Sequence, residues 1–234
     1  MTYSPYSFSR LSTFESCPRK FQNTYILKLP GLASDTTALD KGSYIHHCLE
    51  VWPSAPSQFF NLSVEQIEQY DKIILRFVQS DIGQKILKAP VTIGKELDFG
   101  LDRTLTPCSF LDSSALLRGS IDRLNYNLNT NTLEVYDYKS GKYKEPRFQS
   151  FKQVMMYALW IFRNPLFNCI EQIKTSYVYV EHNMENELIM DRKYIKVYFK
   201  EYLDIIKSLE STEDFKMNRT KLCDWCQYNE QCAG

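Results

Sequence analysis

The chain has 234 residues, with 28 Lys or Arg against 28 Asp or Glu, 44% hydrophobic residues, eight glycines and nine prolines. That length can bury a full core, and the composition excludes long disordered segments. Zero formal charge excludes a uniformly basic nucleic-acid coat and leaves local patches, such as "KSGKYKEPRFQSFK" and the early "CPRKF".

The opening "MTYSPYSFSRLSTFESC" lacks the apolar core of a signal peptide, so a cytoplasmic protein is expected. "KGSYIHHCLEVW" reads as the start of a helix. "SVEQIEQYDKIILRFVQSDIGQKIL" reads as another, with Ser63 capping it, Gln66 three positions on, and Ile67, Tyr70, Ile74 and Phe77 on one stripe. Strands follow in "VTIGKELDFGL", "ALLRGSIDRLNYNL" and "TLEVYDYKSG", with "NTNT" as the turn between the last two. Then come a helix in "FQSFKQVMMYALWIF", a β-rich run "IKTSYVYVE", and a helix from about Asp191 to Leu209 with Tyr194, Val197, Tyr198 and Ile205 near one face. The apolar run "VMMYALWIF" is too short to span a bilayer, so no membrane contact is expected. No repeat or linker divides the chain. The expectation is one domain over 1–234, an α/β (α+β) fold with a central mixed sheet flanked by helices.

Side chains two apart on a strand point the same way, so Asp137 and Lys139 share a face with Leu133 and Val135. Asp122 alternates with Leu124, Tyr126 and Leu128, and folding about "NTNT" brings it alongside Asp137. Burying these charges is costly unless something compensates, and a divalent Mg²⁺ or Mn²⁺ would do so. From the D-x-K triplet alone, a salt bridge of Asp137 or Asp122 with Lys139 or Arg123 reads as well.

A second constellation closes the chain. "CDWCQYNEQC" places Cys223, Cys226 and Cys232 at C-x2-C-x5-C, one thiolate short of the usual four, and Cys17 is the candidate to complete the set. Spacing does not choose iron from zinc. Cys48, Cys108 and Cys169 have no partner at ligand spacing and read as small buried residues. A metal clasp would join about 1–30 to 210–234 as a helical subdomain, and Arg10, Arg19, Lys20, Arg219 and Lys221 near it would contact DNA phosphates. Phe14, Phe21 and Trp225 read as core residues or as surfaces for unpaired bases.

The sequence resembles the RecB-like branch of the PD-(D/E)XK nuclease superfamily. The carrying motifs are "GSIDRL", "VYDYKSG", "KQVMMYA" with Gln153 and Tyr157 one helical turn apart, and an upstream "GSYIHHCLE" with Gly42, His46 and Glu50. Ser120 stands where the eponymous proline would, and Ser140 replaces a usual threonine. The resemblance implies a restriction-endonuclease-like fold. It implies that His46, Asp122 and Asp137 bind Mg²⁺ or Mn²⁺ with the Tyr138 carbonyl, that Lys139 serves the hydrolytic water, and that Gln153 and Tyr157 steady the lysine or the DNA backbone. A packing role for Tyr157 is equally open. Glu96 matches a frequent glutamate of the branch, and Glu50 is a supporting candidate. His47 would point about 100° from His46 on a helix.

The cysteine pattern is similar to that of AddB-type and CRISPR-associated Cas-four nucleases, which implies a [4Fe-4S] cluster on Cys17, Cys223, Cys226 and Cys232. Lys142, Lys144 and Arg147 in the basic run are further DNA-binding candidates. With no G-x-x-x-x-G-K-S/T loop, an ATP site is not expected. The resemblance implies a DNA exonuclease acting on single-stranded ends, with endonuclease activity also in scope, in a prokaryotic or viral setting. Recombination, repair, viral DNA processing and CRISPR adaptation all fit. The alternative is a DNA-binding or assembly subunit serving a helicase, recombination enzyme or integrase.

Overall fold

Strong strand formers in "TLEVYDYK" and "QIKTSYVY" alternate large side chains on both faces, so both segments are buried on both sides of a sheet. The computed structural model describes residues 5–31, 36–54, 60 and 62–232. Its strands are β1 (Val91–Asp102), β2 (Pro107–Cys108), β3 (Ala115–Asn127), β4 (Thr132–Lys139), β5 (Gln172–Tyr179) and β6 (Met184–Asp191), in the spatial order β2-β1-β3-β4-β5-β6. All neighbours are antiparallel except β4 and β5. A parallel pair needs a crossover, and helix α6 (Lys152–Arg163) supplies it. The fold is the expected mixed α/β type, with a six-stranded sheet flanked by helices.

One face is covered by α1 (Phe8–Ser16), α6 and α7 (Ile195–Glu210). There Leu124, Leu133, Val135, Ile173 and Tyr177 share a core with Val154, Tyr157, Ile161, Tyr202 and Ile206. The other is covered by α3 (Thr37–Val51), α4 (Val64–Gln79) and α5 (Asp81–Leu87), where Tyr136, Tyr138, Val178 and Val180 meet Ile45, Leu49, Ile74, Phe77 and Ile86. The odd residues of β4 through Val135 therefore face α6, and the even tyrosines face α3 to α5.

Several elements differ from expectation. The long helix after Ser63 begins with the expected capping box, but it breaks at Ser80. Ser80 caps α5 by accepting the Gly83 N–H at 3.1 Å while donating to the Phe77 carbonyl at 2.6 Å. Helix α6 starts at Lys152, because Pro146 opens a separate short turn over Pro146–Phe148. On α7 the buried row is Tyr198, Tyr202, Ile206 and Leu209, whereas Tyr194 and Val197 are about half exposed. The residues four apart form the stripe, and Val197 lies off it. Strand β6 was not expected, since "MENELIMD" is a polar edge strand with little apolar alternation, and β3 ends before Leu128, which is exposed in the turn.

The chain ends meet beside α1. The short helix α2 (Pro18–Phe21) brings the Arg19 N–H to the Lys216 carbonyl at 3.2 Å, Arg19 Nε donates to the Phe215 carbonyl at 2.9 Å, and Phe21 stacks on Phe215 at 6.3 Å. Residues 1–4 and 233–234 of the expected end-to-end subdomain lie outside the described residues.

Candidate active site

The hairpin register decides which charges meet. The β3/β4 ladder runs from Asn127↔Thr132 to Arg123↔Tyr136, so its next step sets Asp122 opposite Asp137. There the ladder stops, and Asp122 Oδ2 itself accepts the Tyr138 N–H at 2.5 Å. Between β1 and β3, the pairs Lys95↔Arg123 and Leu97↔Ile121 set Glu96 opposite Asp122. Glu96 has a φ of 42°, a left-handed backbone rare for a residue inside a strand. Three carboxylates from adjacent strands, Glu96, Asp122 and Asp137, therefore form a row at one end of the sheet, an irregularity of the kind that gathers at functional sites.

Helix α3 supplies the cation that faces this row. His46 Nε2 donates to the Tyr138 carbonyl at 3.0 Å, and Nδ1 lies 3.5 Å from Asp122 and 3.7 Å from Glu96. One ligand atom from each of His46, Glu96 and Asp122 falls within 4.8 Å of the others. His47 turns away as expected, to Glu50 at 3.2 Å, and Glu50 is thereby drawn from the row; its carbonyl accepts from Lys95 at 2.7 Å.

Asp137 sits in a second arrangement, a closed ring on the α6 side. Lys139 Nζ donates to Gln153 Oε1 at 2.8 Å, Gln153 Nε2 donates to the Tyr157 oxygen at 2.8 Å, and the Tyr157 hydroxyl donates to Asp137 Oδ1 at 2.8 Å. Lys139 Nζ returns to Asp137 Oδ2 at 2.6 Å, but off the line of a hydrogen bond, so that buried oxygen has a counter-charge and no aligned donor. His46, Glu96 and Asp122 are the closest-set group, and Asp137, level with Asp122 on the next strand, also faces Lys139. Tyr157 packs in the core and donates to the acid rather than to the lysine.

Two further residues shape the ring. Tyr177, opposite Asp137 on β5, offers its ring face to Lys139 Nζ at 4.9 Å. It was missed in the sequence, although its parity in "KTSYVYV" places it level with Asp137 once β4 and β5 are paired. Phe99 on β1 lies edge-on to Tyr157 at 6.0 Å. It can do so because its partner across the ladder is Gly119, where any Cβ would come within 2.6 Å of the Phe99 ring. The glycine of "GSIDR" is needed for this close approach.

The electrostatics follow from burial and crowding. Burial raises Asp122, as does the neighbouring Asp137 charge; the nearby His46 only partly opposes them, and the carboxyl is pushed up to about 6. Burial works against a charged His46, but hydrogen bonding to Asp122 and Glu96 outweighs it and lifts the imidazole to about 10. Burial and the Asp137 charge hold Tyr157 well above the usual phenol range, so its hydroxyl remains a donor. An imidazolium is the only cation facing this acidic row from α3, and a divalent ion would satisfy the same charge demand.

The cysteines converge elsewhere. Cys17 precedes Pro18, which disfavours helix at that position, so it is extended between α1 and α2 (φ −162°, ψ 107°). With Cys223, Cys226 and Cys232 it lines one cavity of about 310 Å³, bordered by Lys20, Arg219 and Tyr228. The Asn218 N–H points to Cys17 Sγ at 3.5 Å and the Thr220 N–H to Cys223 Sγ at 3.4 Å. Burial raises the Cys232 thiol, and the Cys226, Cys17 and Cys223 thiols add to the rise. Of the other cysteines only Cys48 is buried as expected; Cys108 is half-buried and Cys169 exposed, because Cys169 lies in the turn before β5.

The cationic candidates divide as well. Arg10 donates to the Pro5 carbonyl at 2.8 Å and lies over Tyr25, within the N-terminal segment, and Arg19 ties that segment to the Phe215 carbonyl. Lys142, Lys144 and Arg147 are exposed on the loop between β4 and α6. Phe14 and Phe21 are core residues, whereas Trp225 is 87% exposed. No helix among the described residues is long and apolar enough to cross a membrane.

Comparison with known proteins gives a match to a family and a loose match to a structure. No curated protein matches the chain. A solved structure described as "Crystal structure of SSO0001" is similar at 14% identity and a TM-score of 0.41, covering 95% of this chain and 84% of its own. The family model for the PD-(D/E)XK nuclease superfamily matches residues 5–233. A sheet-end row of carboxylates backed by a lysine, and a family match over nearly the whole chain, lead to one conclusion: this protein belongs to the PD-(D/E)XK nuclease superfamily, and that membership implies a metal-dependent nuclease.

Proposed function

We propose that this protein is a Mg²⁺- or Mn²⁺-dependent deoxyribonuclease whose metal is held by His46, Glu96, Asp122 and Asp137, with the Tyr138 carbonyl as a further oxygen. The donors are mostly hard oxygens, which suit these ions, and the buried Asp137 Oδ2 without an aligned donor is an open acceptor beside them. When bound, such an ion polarises a phosphoryl oxygen and lowers the pKa of a water ligand. The chain's own residues do the rest. The Lys139 ammonium, held by Gln153 and Asp137 over the Tyr177 ring, is placed to orient the attacking water and offset charge gathering on the phosphate. Tyr157 fixes the Asp137 carboxylate by donating to it, and Gln153 keeps the ammonium aimed.

The observation that carries this reading is the row of Glu96, Asp122 and Asp137 ending at the Lys139 ring. Its test is incubation of labelled single-stranded and duplex DNA with Mn²⁺, beside Asp122→Ala and Lys139→Ala. Cleavage by wild type and loss in both variants is expected. Equal degradation by all three overturns it. Exonucleolytic action on single-stranded ends, in recombination, repair, viral DNA processing or CRISPR adaptation, follows from the motif resemblance and belongs to the same proposal.

The four cysteines that line one cavity support a thiolate-held metal group there; by the motif resemblance it would be a [4Fe-4S] cluster, with a single zinc as the alternative, and either would clasp both chain ends. Metal analysis after anaerobic purification decides: about four irons per chain supports the cluster, and one zinc replaces it.

A further inference from the structure

The loop between β4 and α6 has an unusual neck. It leaves the sheet at Lys139 and re-enters a helix one residue before Gln153, and these two side chains are joined at 2.8 Å. The loop therefore begins and ends beside the Lys139–Gln153 pair of the candidate site. The loop is also moored. Buried Asn186 on β6 donates to the Lys144 carbonyl at 2.7 Å and accepts from the Tyr143 hydroxyl at 3.1 Å. Tyr143 packs edge-on against Tyr179 at 5.0 Å, and the Tyr179 hydroxyl donates to Gln149 at 2.5 Å.

Between these moorings, a short turn at Pro146 turns the tip outward, its Phe148 N–H bonded to the Glu145 carbonyl at 2.9 Å. The two phenylalanines of the loop have different fates. Phe151 lies against Tyr177 at 5.7 Å, while Phe148 is 69% exposed. A lone exposed phenylalanine is ordinary. This one carries the Arg147 guanidinium 4.6 Å from its ring centroid, and exposed Lys142 and Lys144 stand on the same loop. An aromatic face beside cations, on a loop whose two ends spring from the proposed cleaving centre, is the chemistry that holds single strands: phosphates on the cations, an unstacked base on the ring. A duplex keeps its bases stacked inside and offers nothing to the ring.

We propose that Phe148, backed by Arg147 and flanked by Lys142 and Lys144, is the stacking platform that gives this nuclease its preference for unpaired DNA. The proposal rests on the deoxyribonuclease reading above and names the residue that selects the substrate.

The test compares wild type, Phe148→Ala and Phe148→Trp on a labelled single strand and its duplex with Mn²⁺. For Phe148→Ala, KM on the single strand rises about 5- to 150-fold, the fold-change matching a base-stacking loss of about 1–3 kcal/mol. Its kcat stays within about twofold, duplex cleavage is unchanged, and Phe148→Trp restores KM. A single-strand KM within about twofold of wild type, or an equal loss on both substrates, overturns the assignment. A second arm separates this outcome from failure of the nuclease reading. In a Lys139→Ala background with Ca²⁺, fluorescence anisotropy of an end-labelled single strand and of its duplex reports binding without cleavage. Single-strand affinity that falls about fivefold or more with Phe148→Ala while duplex affinity holds supports the platform even if wild type cuts no DNA, and an unchanged single-strand affinity, or an equal fall on both, refutes it.

Discussion

Replacing Tyr157 by Phe removes one oxygen and leaves the shape of the core unchanged, so no cavity term enters. The lost hydroxyl is 2.8 Å from both Asp137 Oδ1 and Gln153 Nε2, and its residue is only 3% exposed, so water cannot readily replace it. A hydrogen bond to a charged group contributes about 1.5–3 kcal/mol, and a buried amide left without an acceptor costs about 1 kcal/mol more. The expected loss is thus about 2.5–4 kcal/mol, or roughly 5–16 °C in Tm for a chain of this size. Urea unfolding in EDTA, with the slope checked for constancy, measures it directly. Tyr179→Phe is the control: its bond goes to Gln149 on a half-exposed loop, and a loss below about 1 kcal/mol is expected. A Tyr157→Phe loss under about 0.5 kcal/mol at unchanged slope would refute the closed ring as a stabilising unit.

Two other outcomes follow. A Cβ at Gly83 would stand 2.0 Å from the Phe77 carbonyl oxygen, part of the backbone at the Ser80 elbow, whereas at Gly141 nothing lies within 4 Å. Gly83→Ala should therefore cost more than about 2 kcal/mol by urea unfolding despite the better helix propensity of alanine, and Gly141→Ala should stay within about 0.5 kcal/mol. For pH dependence without metal, His46 is raised from 6.5 to about 10, so its stabilising contribution is complete below pH 6.5 and fades as pH rises through about 10. Asp122, raised from 3.8 to about 6, acts in the same direction at lower pH: stability is greatest below 3.8 and declines as pH climbs through about 6. Thermal melts in EDTA from pH 6.5 to 10 should fall for wild type, and His46→Gln should flatten that slope; parallel curves would contradict the pairing of His46 with the carboxylates.

The parts of the site that were legible in the sequence are those set by local periodicity. Strand parity put Asp137 and Lys139 on one face, a single helical turn joined Gln153 to Tyr157, and the step of about 100° between helix neighbours separated His46 from His47. The hairpin turn at "NTNT" was enough to set Asp122 opposite Asp137. Less legible were elements whose cause is not local. The break at Ser80 depends on a capping competition inside an otherwise continuous amphipathic run. Strand β6 exists because β5 offers it an edge, and its own polar sequence carries little signal.

By itself the sequence determined the succession of β1, β3, β4, α6 and β5, the pairing register of the central hairpin and the chemical types available at the sheet end. Only the tertiary structure decided the partners: that Glu96 stands nearer His46 than Asp137 does, that Tyr177 takes the ammonium on its ring, that Arg10 and Arg19 are spent on carbonyls of their own chain, and that four cysteines from both ends line one cavity. The reason is physical. Periodicity along one strand or helix gives direction, but distances between residues remote in sequence depend on how separate elements pack, twist and crowd one another, which no local pattern encodes.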